Sequence, residues 1–207
     1  MTEPAGRSLT FLWFIDFDFS TRLHHGATLR YLNYSRELLA LGHQVYFVVQ
    51  FQAGEAELSR NFFSGLKQQG TFTDFFECTY SYPRWKGRIA TAAILPALAN
   101  HWLARNQLPV LKYSEELAFR LGTDVCIFSN RRVFFLLPRF AKIFTSIIDF
   151  GDCSTLYHSR EARLLLRNRD FHAFLPCLRH LAESYFQERY YAPRSHANVV
   201  VSQVDKN

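Results

Sequence analysis

The chain has 207 residues, of which 48% are hydrophobic and 20% are charged, a composition typical of a folded globular protein. It contains 21 Phe, 10 Tyr and 3 Trp, enough apolar surface for a large core, which excludes an intrinsically disordered chain. Lys and Arg outnumber Asp and Glu by 24 to 18, and the resulting net charge of +6 favours acidic partners such as phosphorylated ligands or an anionic membrane.

Short apolar runs predict six buried strands. Most of these runs are rich in Val, Ile and Phe and do not alternate with polar residues, as expected of strands covered on both faces. The predicted strands are residues 10–17, 44–50, 72–78, 124–129, 143–149 and 198–202. Repeated strand–helix alternation indicates an α/β, Rossmann-like fold, in which one parallel sheet carries helices on both faces. We expect a single domain over residues 1–207.

Stretches with helical spacing lie between the strands. The predicted helices are residues 26–42, 55–69, 85–105, 113–121, 131–140 and 170–191. In the first of them, Leu32, Ser35 and Leu39 fall on one face, and Gly42 is a typical residue to end the helix. Pro109 predicts a break between the third and fourth helices, because proline cannot continue a helix smoothly.

The cysteines and the N-terminal segment indicate the cellular compartment. The four cysteines are widely spaced and form no C-x-x-C motif, so we expect reduced core thiols, with a metal-binding or catalytic thiol as the alternative. They are Cys78, Cys126, Cys153 and Cys177. The apolar run 9–15 is too short for a signal peptide and leads into Asp16 and Asp18. We therefore expect a cytoplasmic protein, and no run of about 18 apolar residues predicts a transmembrane helix.

The loop after the first strand leads into a predicted helix start. Ligands of open parallel sheets bind beyond the carboxyl ends of the strands, and a helix N-terminus favours phosphate or carboxylate groups. The candidate binding residues here are His24, His25, Gly26 and Arg30. The alternative is an ordinary loop with solvated histidines. No G-x-G-x-x-G or Walker A sequence is present, which argues against a dinucleotide or P-loop nucleotide site.

A second polar loop follows the fifth predicted strand. Asp149, Asp152 and Ser154 can bind sugar hydroxyls, hold a metal or supply a base. The alternative is that Asp152 or Ser154 caps the following helix. After the fourth strand, Asn130 is a further candidate. Near the end of the last helix, Glu188 forms an exposed ion pair or braces the adjacent strand.

Two alternative functions remain open from the sequence. The pair Asp16 and Asp18 begins an Asp-x-Asp-x-Ser sequence that resembles the first motif of haloacid-dehalogenase-type phosphatases, where the first carboxylate is the nucleophile. Gln50, however, stands where that family has Ser or Thr. The other alternative is a non-catalytic, basic α/β binding module. It shows no RRM, KH or helix-turn-helix pattern, so we expect no nucleic-acid partner.

The order of several motifs resembles the N-terminal half of GT-B glycosyltransferases, nearest to glycosyltransferase family 4. The matching segments are G-A-T-L-R at 26–30, E-L-L-A-L-G-H-Q-V at 37–45, D-F-G-D-C-S at 149–154, and E-R-Y at 188–190 followed by the strand 198–202. The resemblance implies that this domain binds the acceptor, while a second Rossmann-like domain holds a nucleotide sugar. A sugar would then pass to a glycan or lipid-linked acceptor, as in polysaccharide biosynthesis.

The resemblance also implies roles for individual residues. The best catalytic candidates are Asp149 and Asp152; the acceptor-binding candidates are His24, His25, Gly26, Arg30, Asn130 and Ser154; the hinge or cleft candidates are Glu188 and Ser202. Asn130 and Arg131 stand near the position where many members keep a catalytic histidine. We expect no metal and no cofactor. The donor signature E-x7-E is missing, so we expect no activity without a donor-binding domain or partner chain.

Two segments mix cations with large apolar side chains, residues 82–88 and 131–142. Such mixtures can lie at an anionic bilayer, which would make the protein peripheral at the inner membrane face. The alternative is that the aromatic side chains belong to the core and the cations are solvated.

Overall fold

The computed structural model describes residues 7–17, 26–51, 53–79, 96–151 and 154–200. Within them, six strands form one sheet in which every pairing is parallel. The strands are β1 (Thr10–Asp16), β2 (Gln44–Phe51), β3 (Asp74–Thr79), β4 (Val125–Ser129), β5 (Thr145–Gly151) and β6 (Ala197–Val200). All six correspond to predicted strands, and the predicted α/β class is confirmed.

The strand order is β3-β2-β1-β4-β5-β6. The chain therefore leaves β1 in one direction to build β2 and β3, and returns to the other side of β1 to build β4, β5 and β6. In such a sheet the connections on the two sides diverge between β1 and β4. They leave a crevice beyond the carboxyl ends of these two strands, where ligands of open α/β sheets bind.

Helices lie between the strands as expected. In the described residues they are α1 (Gly26–Ala40), α2 (Ala56–Gln68), α3 (Pro96–Asn106), α4 (Leu108–Arg120), α5 (Leu137–Phe140), α6 (Ser154–Arg167) and α7 (Phe171–Tyr191). The end of α1 is confirmed: Gly42 has a positive φ of 83°, and the N–H groups of Gly42 and His43 donate to the carbonyls of Leu39 and Leu38. This pair of bonds satisfies carbonyls that the helix end leaves open.

Two helix predictions need correction. The predicted helix 113–121 begins earlier, at Leu108, because Pro109 lies in its first turn, where the missing N–H is harmless. The predicted helix 131–140 is instead a 3-10 turn at Phe134–Leu136 followed by the single turn α5. The extent of α6 was not predicted. By contrast, α7 begins as predicted, since the Asp170 side chain accepts the Ala173 N–H at 3.1 Å.

Each face of the sheet supports its own apolar core. One face packs Phe14 and Phe128 against Phe140, with the first two rings stacked at 4.9 Å. The other face packs Trp13 and Phe47 beneath α1 and α2. Strand residues alternate between these cores, which explains the continuous apolar runs in the sequence.

The aromatic residues of segment 131–142 belong to the first core. Phe134, Phe135 and Phe140 are almost completely buried, as are Leu136 and Leu137. The interpretation of this segment as a membrane contact is therefore wrong. Its aromatic residues belong to the core, as the alternative predicted, but its cations are not all solvated, because only 11% of the Arg132 side chain is exposed. The other basic segment, 82–88, lies outside the described residues. No helix in the described ranges combines the length and the apolar character needed to cross a bilayer.

Candidate functional site

A buried ion pair lies at the crevice between β1 and β4. Asp16 ends β1, and the neighbouring strand β4 ends at Ser129, three residues before Arg132. The Arg132 Nη1 donates to Asp16 Oδ2 at 2.8 Å, and only 11% and 2% of the two side chains are exposed. The short turn after β4 thus places a cation directly over the end of β1.

A second buried ion pair lies on the other side of β4. Arg30, in the second turn of α1, donates from Nη2 to Asp149 Oδ2 at 3.1 Å, with 14% and 2% of the side chains exposed. Asp149 lies on β5 in register with Ser129 of β4. Arg30 and Asp149 were both predicted as site residues from separate loops, and the structure brings them into direct contact.

Ser129 connects this pair to the core. Its hydroxyl donates to Asp149 Oδ2 at 3.2 Å and accepts the indole N–H of Trp13 at 2.8 Å. Tyr31 lies beside the same groups: burial, reinforced by the negative charge of Asp149, raises the pKa of its phenol to about 12, against the opposing effect of Arg30. Tyr31 is therefore a neutral hydroxyl at physiological pH.

An apolar cavity of about 270 Å³ opens beside these groups. It lies over β1, β4, β5 and β6 next to α1, on the sheet face that α1 and α2 cover elsewhere. Its lining residues are Phe11, Trp13, Tyr34, Glu37, Leu38, Ile127, Ile147, Asp149 and Val199. A mostly apolar concavity with a few convergent polar groups is typical of a small-molecule site.

The loop after β4, the start of α6 and the C-terminal part of α7 enclose a smaller cavity of about 50 Å³, called the polar cavity here because most of its lining residues are polar. Asn130 and Ser154, two predicted acceptor-binding residues, line it together with Arg131 and Glu188. Asn130 has a φ of 86°, a conformation that non-glycine residues rarely adopt and that is concentrated at functional sites. Arg131 Nη2 donates to the Ser184 hydroxyl at 2.7 Å.

Charges around the polar cavity balance one another. Burial lowers the pKa of the Arg131 guanidinium, and the carboxylates of Glu188 and Glu183 act in the opposite direction. Glu188 Oε1 also accepts the Thr155 N–H at 3.1 Å, in the first turn of α6. A carboxylate at this position stabilises the positive end of the helix, so Glu188 joins α7 to the start of α6.

Five residues considered for the site from the sequence lie outside the part of the chain that the structure describes: His24, His25, Asp18, Asp152 and Ser202. Gly26 is known only as the first residue of α1. Sequence reasoning did not single out Trp13 or Tyr34. From the sequence we expected Arg132 to be solvated. The signal that could have indicated a buried ion pair was Asp16, an acidic residue at the end of a predicted buried strand.

The chemistry of this edge favours uncharged or anionic ligands. Asp16 and Asp149 are each paired with an arginine, which leaves little negative charge to attract a divalent cation. The Asp16–Arg132 pair also gives no support to Asp16 as a phosphatase nucleophile. What the arrangement offers is a carboxylate, a guanidinium and hydroxyls at the border of an apolar cavity.

Comparisons with known proteins find solved structures of similar fold. Neither the protein-family models nor the curated proteins include a match. Among solved structures, the chain is similar to the glycosyltransferase SnogD from Streptomyces nogalater (TM-score 0.47, 10% identity, 95% of this chain and 44% of that chain). It is also similar to the glycotransferase of kitacinnamycin (TM-score 0.50, 14% identity, 94% of this chain and 46% of that chain). A third similar structure is CalG4, the calicheamicin glycosyltransferase (TM-score 0.48, 15% identity, 94% of this chain and 48% of that chain).

The chain spans less than half the length of each of these structures. At such low identity the likeness concerns the fold alone, and of the three only the kitacinnamycin structure reaches a TM-score of 0.50. The six-stranded parallel sheet matches one half of a GT-B, Rossmann-like structure. The comparisons give no support to a phosphohydrolase or to a nucleic-acid-binding module.

Proposed function

We propose that this chain is the acceptor-binding N-terminal half of a GT-B glycosyltransferase of the family 4 type. In this proposal a second domain or partner chain binds the nucleotide sugar. The observation that carries the proposal is the β3-β2-β1-β4-β5-β6 sheet, similar to half of a glycosyltransferase structure, with charged and hydroxyl side chains clustered at its switch point.

The proposed reaction forms a bond between an acceptor hydroxyl oxygen and the anomeric carbon of the donor sugar. The bond from that carbon to the nucleotide diphosphate breaks, and the hydroxyl proton passes to a base. Asp149 is our candidate for orienting the hydroxyl, since its carboxylate already accepts from Arg30 and Ser129. Asp152 stays a candidate base. Stabilisation of the leaving diphosphate would come from the donor-binding half, so we expect no transfer by this chain alone.

The apolar cavity supports a particular class of acceptor. Its lining is mostly aromatic and aliphatic, while Asp149 supplies a polar group at its border. An acceptor with a hydroxyl-bearing sugar and an apolar portion would satisfy both parts of this lining. We therefore propose a lipid-linked glycan or another glycoside with an apolar portion.

Calorimetric titration with octyl glucoside, below its micelle concentration, tests this proposal. We expect saturable binding that Tyr34→Ala weakens by about tenfold, because Tyr34 lines the cavity and removing its ring takes away apolar contact area. Tyr34 is partly exposed, so the substitution should not unfold the chain. Tyr113→Ala, at a similarly exposed tyrosine of α4, is the matched control and should bind as the native chain does.

Other ligands separate this function from its alternatives. Binding of UDP-glucose without binding of octyl glucoside would contradict the assignment as the acceptor half. Equal affinities of the Tyr34→Ala and Tyr113→Ala variants would remove the cavity from the acceptor site. Magnesium-dependent hydrolysis of 4-nitrophenyl phosphate by the purified chain would favour the phosphohydrolase alternative.

We also propose that an anionic, inner-membrane surface is a partner, and that the contact is the closed end of the α6–α7 hairpin. Leu164, Leu166, Phe171 and Leu175 are all exposed there. Exposed arginines accompany them at positions 163, 167 and 169, against one exposed acid, Asp170. Apolar side chains mixed with cations suit an anionic interface, where each basic residue contributes about 1 kcal/mol.

Co-sedimentation with vesicles tests the membrane contact. We expect binding to vesicles rich in phosphatidylglycerol and much weaker binding to pure phosphatidylcholine. The double variant Phe171→Ser/Leu175→Ser should lower the partition coefficient by about tenfold or more, since burying each side chain contributes about 1.5–3 kcal/mol. Leu58→Ser, at an exposed leucine of α2, is the control. Equal binding to charged and uncharged vesicles would contradict the proposal. So would equal binding by the double variant and by Leu58→Ser.

A further inference from the structure

Helix α6 is held to the rest of the protein by few buried apolar groups. Of its residues, Ala162 is the one that is fully buried. Its main neighbour is α7, and several of the residues that α7 buries are polar or charged, among them Glu183, Ser184 and Gln187. Apolar burial therefore contributes little to this helix pair, and other interactions must supply part of its stability.

Three metal-ligating side chains meet between these two helices. His158 and Glu161 lie one turn apart on α6, and Cys177 faces them from α7. His158 Nδ1 lies 3.0 Å from Glu161 Oε2, and Cys177 Sγ lies 3.4 Å from the same oxygen. The potential ligand atoms of all three residues lie within 4.8 Å of one another. This is close enough for a single ion to contact all of them after small side-chain adjustments.

A fourth potential ligand, the imidazole of His180, lies beside the cluster. His180 lies three residues after Cys177 on α7, and its ring stacks on that of His158 with centroids 5.6 Å apart. Its Nδ1 faces Glu183 Oε2 at 3.5 Å, as in metal sites where the non-ligating imidazole nitrogen contacts a carboxylate. The two helices thus present facing His-x-x-Glu and Cys-x-x-His pairs, each on one helix face because of the three-residue spacing.

We propose that His158, Glu161 and Cys177, with His180 as the fourth ligand, form a structural site for a zinc-type divalent metal that joins α6 to α7. A thiolate, imidazoles and one carboxylate together are typical zinc ligands, whereas magnesium and calcium prefer oxygen ligands alone. As the metal–sulfur bond forms, the Cys177 thiol releases its proton to solvent. This proposal adopts the metal alternative for Cys177 and replaces the expectation of no metal.

The cluster is accessible from one side. Cys177 is buried, whereas 39% of the Glu161 side chain is exposed and His180 is more exposed still. An ion can therefore enter past Glu161 and His180 without unfolding the hairpin. The competing interpretation is an ordinary His158–Glu161 ion pair beside a buried thiol, which would have no affinity for transition metals above that of a surface histidine.

Titration of the purified, reduced chain with Co²⁺ distinguishes the two interpretations. We expect saturation at one equivalent, with the near-ultraviolet charge-transfer absorption of a thiolate–cobalt bond, and displacement of the cobalt by Zn²⁺. Cys177→Ser should abolish this absorption. His158→Gln, at a partly exposed residue, should weaken binding by more than about tenfold, since losing even an outer-shell partner of a metal costs 10–100-fold. His101→Gln, at an exposed histidine of α3, is the matched control.

Hydrogen exchange locates the bound ion independently of the absorption. Zinc should slow amide exchange in α6 and α7 of the native chain and of His101→Gln, and at the same zinc concentration should slow it much less in His158→Gln. The proposal is overturned if cobalt binds without the thiolate absorption, or if the absorption survives Cys177→Ser. Protection by zinc elsewhere in the chain, with none in α6 and α7, would overturn it equally.

Discussion

Replacing Arg132 with methionine is expected to lower the free energy of unfolding by about 3–5 kcal/mol, the usual cost of removing one partner from a buried ion pair. Asp16 is almost completely buried and accepts a 2.8 Å hydrogen bond from Arg132. Methionine fills a similar volume but leaves the carboxylate without its arginine in a region from which water is largely excluded. Urea denaturation of both proteins measures the difference.

An exposed ion pair provides the control for this prediction. Lys67 and Asp74 are also 2.8 Å apart, but roughly half of each side chain is exposed. Lys67→Met should therefore cost less than about 1 kcal/mol. The double variant Asp16→Asn/Arg132→Met should lose less than the two single variants combined, because it leaves no unpaired ionic group. Equal effects of Arg132→Met and Lys67→Met would show that the pair at the crevice contributes no more than a surface contact.

Replacing Phe128 with alanine is expected to cost about 3–5 kcal/mol, through lost apolar burial and the cavity that remains. Phe128 is the fourth of the five residues of β4 and is fully buried. Its ring stacks on Phe14 at 4.9 Å and meets the edge of Phe140 at 5.8 Å. These ring contacts add to the effect of buried area. The loss should appear as a lower denaturation midpoint with little change in the denaturant slope.

Phe119 is the matched control for this core substitution. It is 61% exposed on α4, and its ring lies tilted against that of Phe144 with centroids 5.2 Å apart. Phe119→Ala should change stability by about 1 kcal/mol or less. If both alanine variants were equally stable, the stacked rings of β1 and β4 would not be the centre of the core, and the strand order at the crevice would be in question.

The strands of the sheet were predictable because the residues that determine them lie within each strand or in the turns beside it. Strands buried on both faces must be apolar throughout, and Gly42 and Pro109 mark helix boundaries through their own backbone chemistry. The 3-10 turn that replaces part of the predicted helix 131–140 was not predictable in this way. Its burial depends on contacts such as those of the Phe134 ring with Phe150 and Tyr191, which come later in the chain.

The candidate site was predictable only in part. Parallel strands bring their carboxyl ends to one edge, so the sequence could select Arg30 and Asp149 as neighbours of that edge. It could not show that they form a pair, because that depends on the distance between α1 and β5. For the same reason the cavity beside Tyr34 and the contacts between His158 and Cys177 appear only in three dimensions.

The position of Trp13 gives the protein a built-in optical reporter. Its indole lines the apolar cavity and donates to Ser129, which itself contacts Asp149. A molecule entering the cavity changes the polarity around this ring, and hence the wavelength and intensity of its emission. The other two tryptophans, Trp85 and Trp102, contribute a separate background that the double variant Trp85→Phe/Trp102→Phe removes. Ligands can therefore be screened by fluorescence without labels and before any substrate is known.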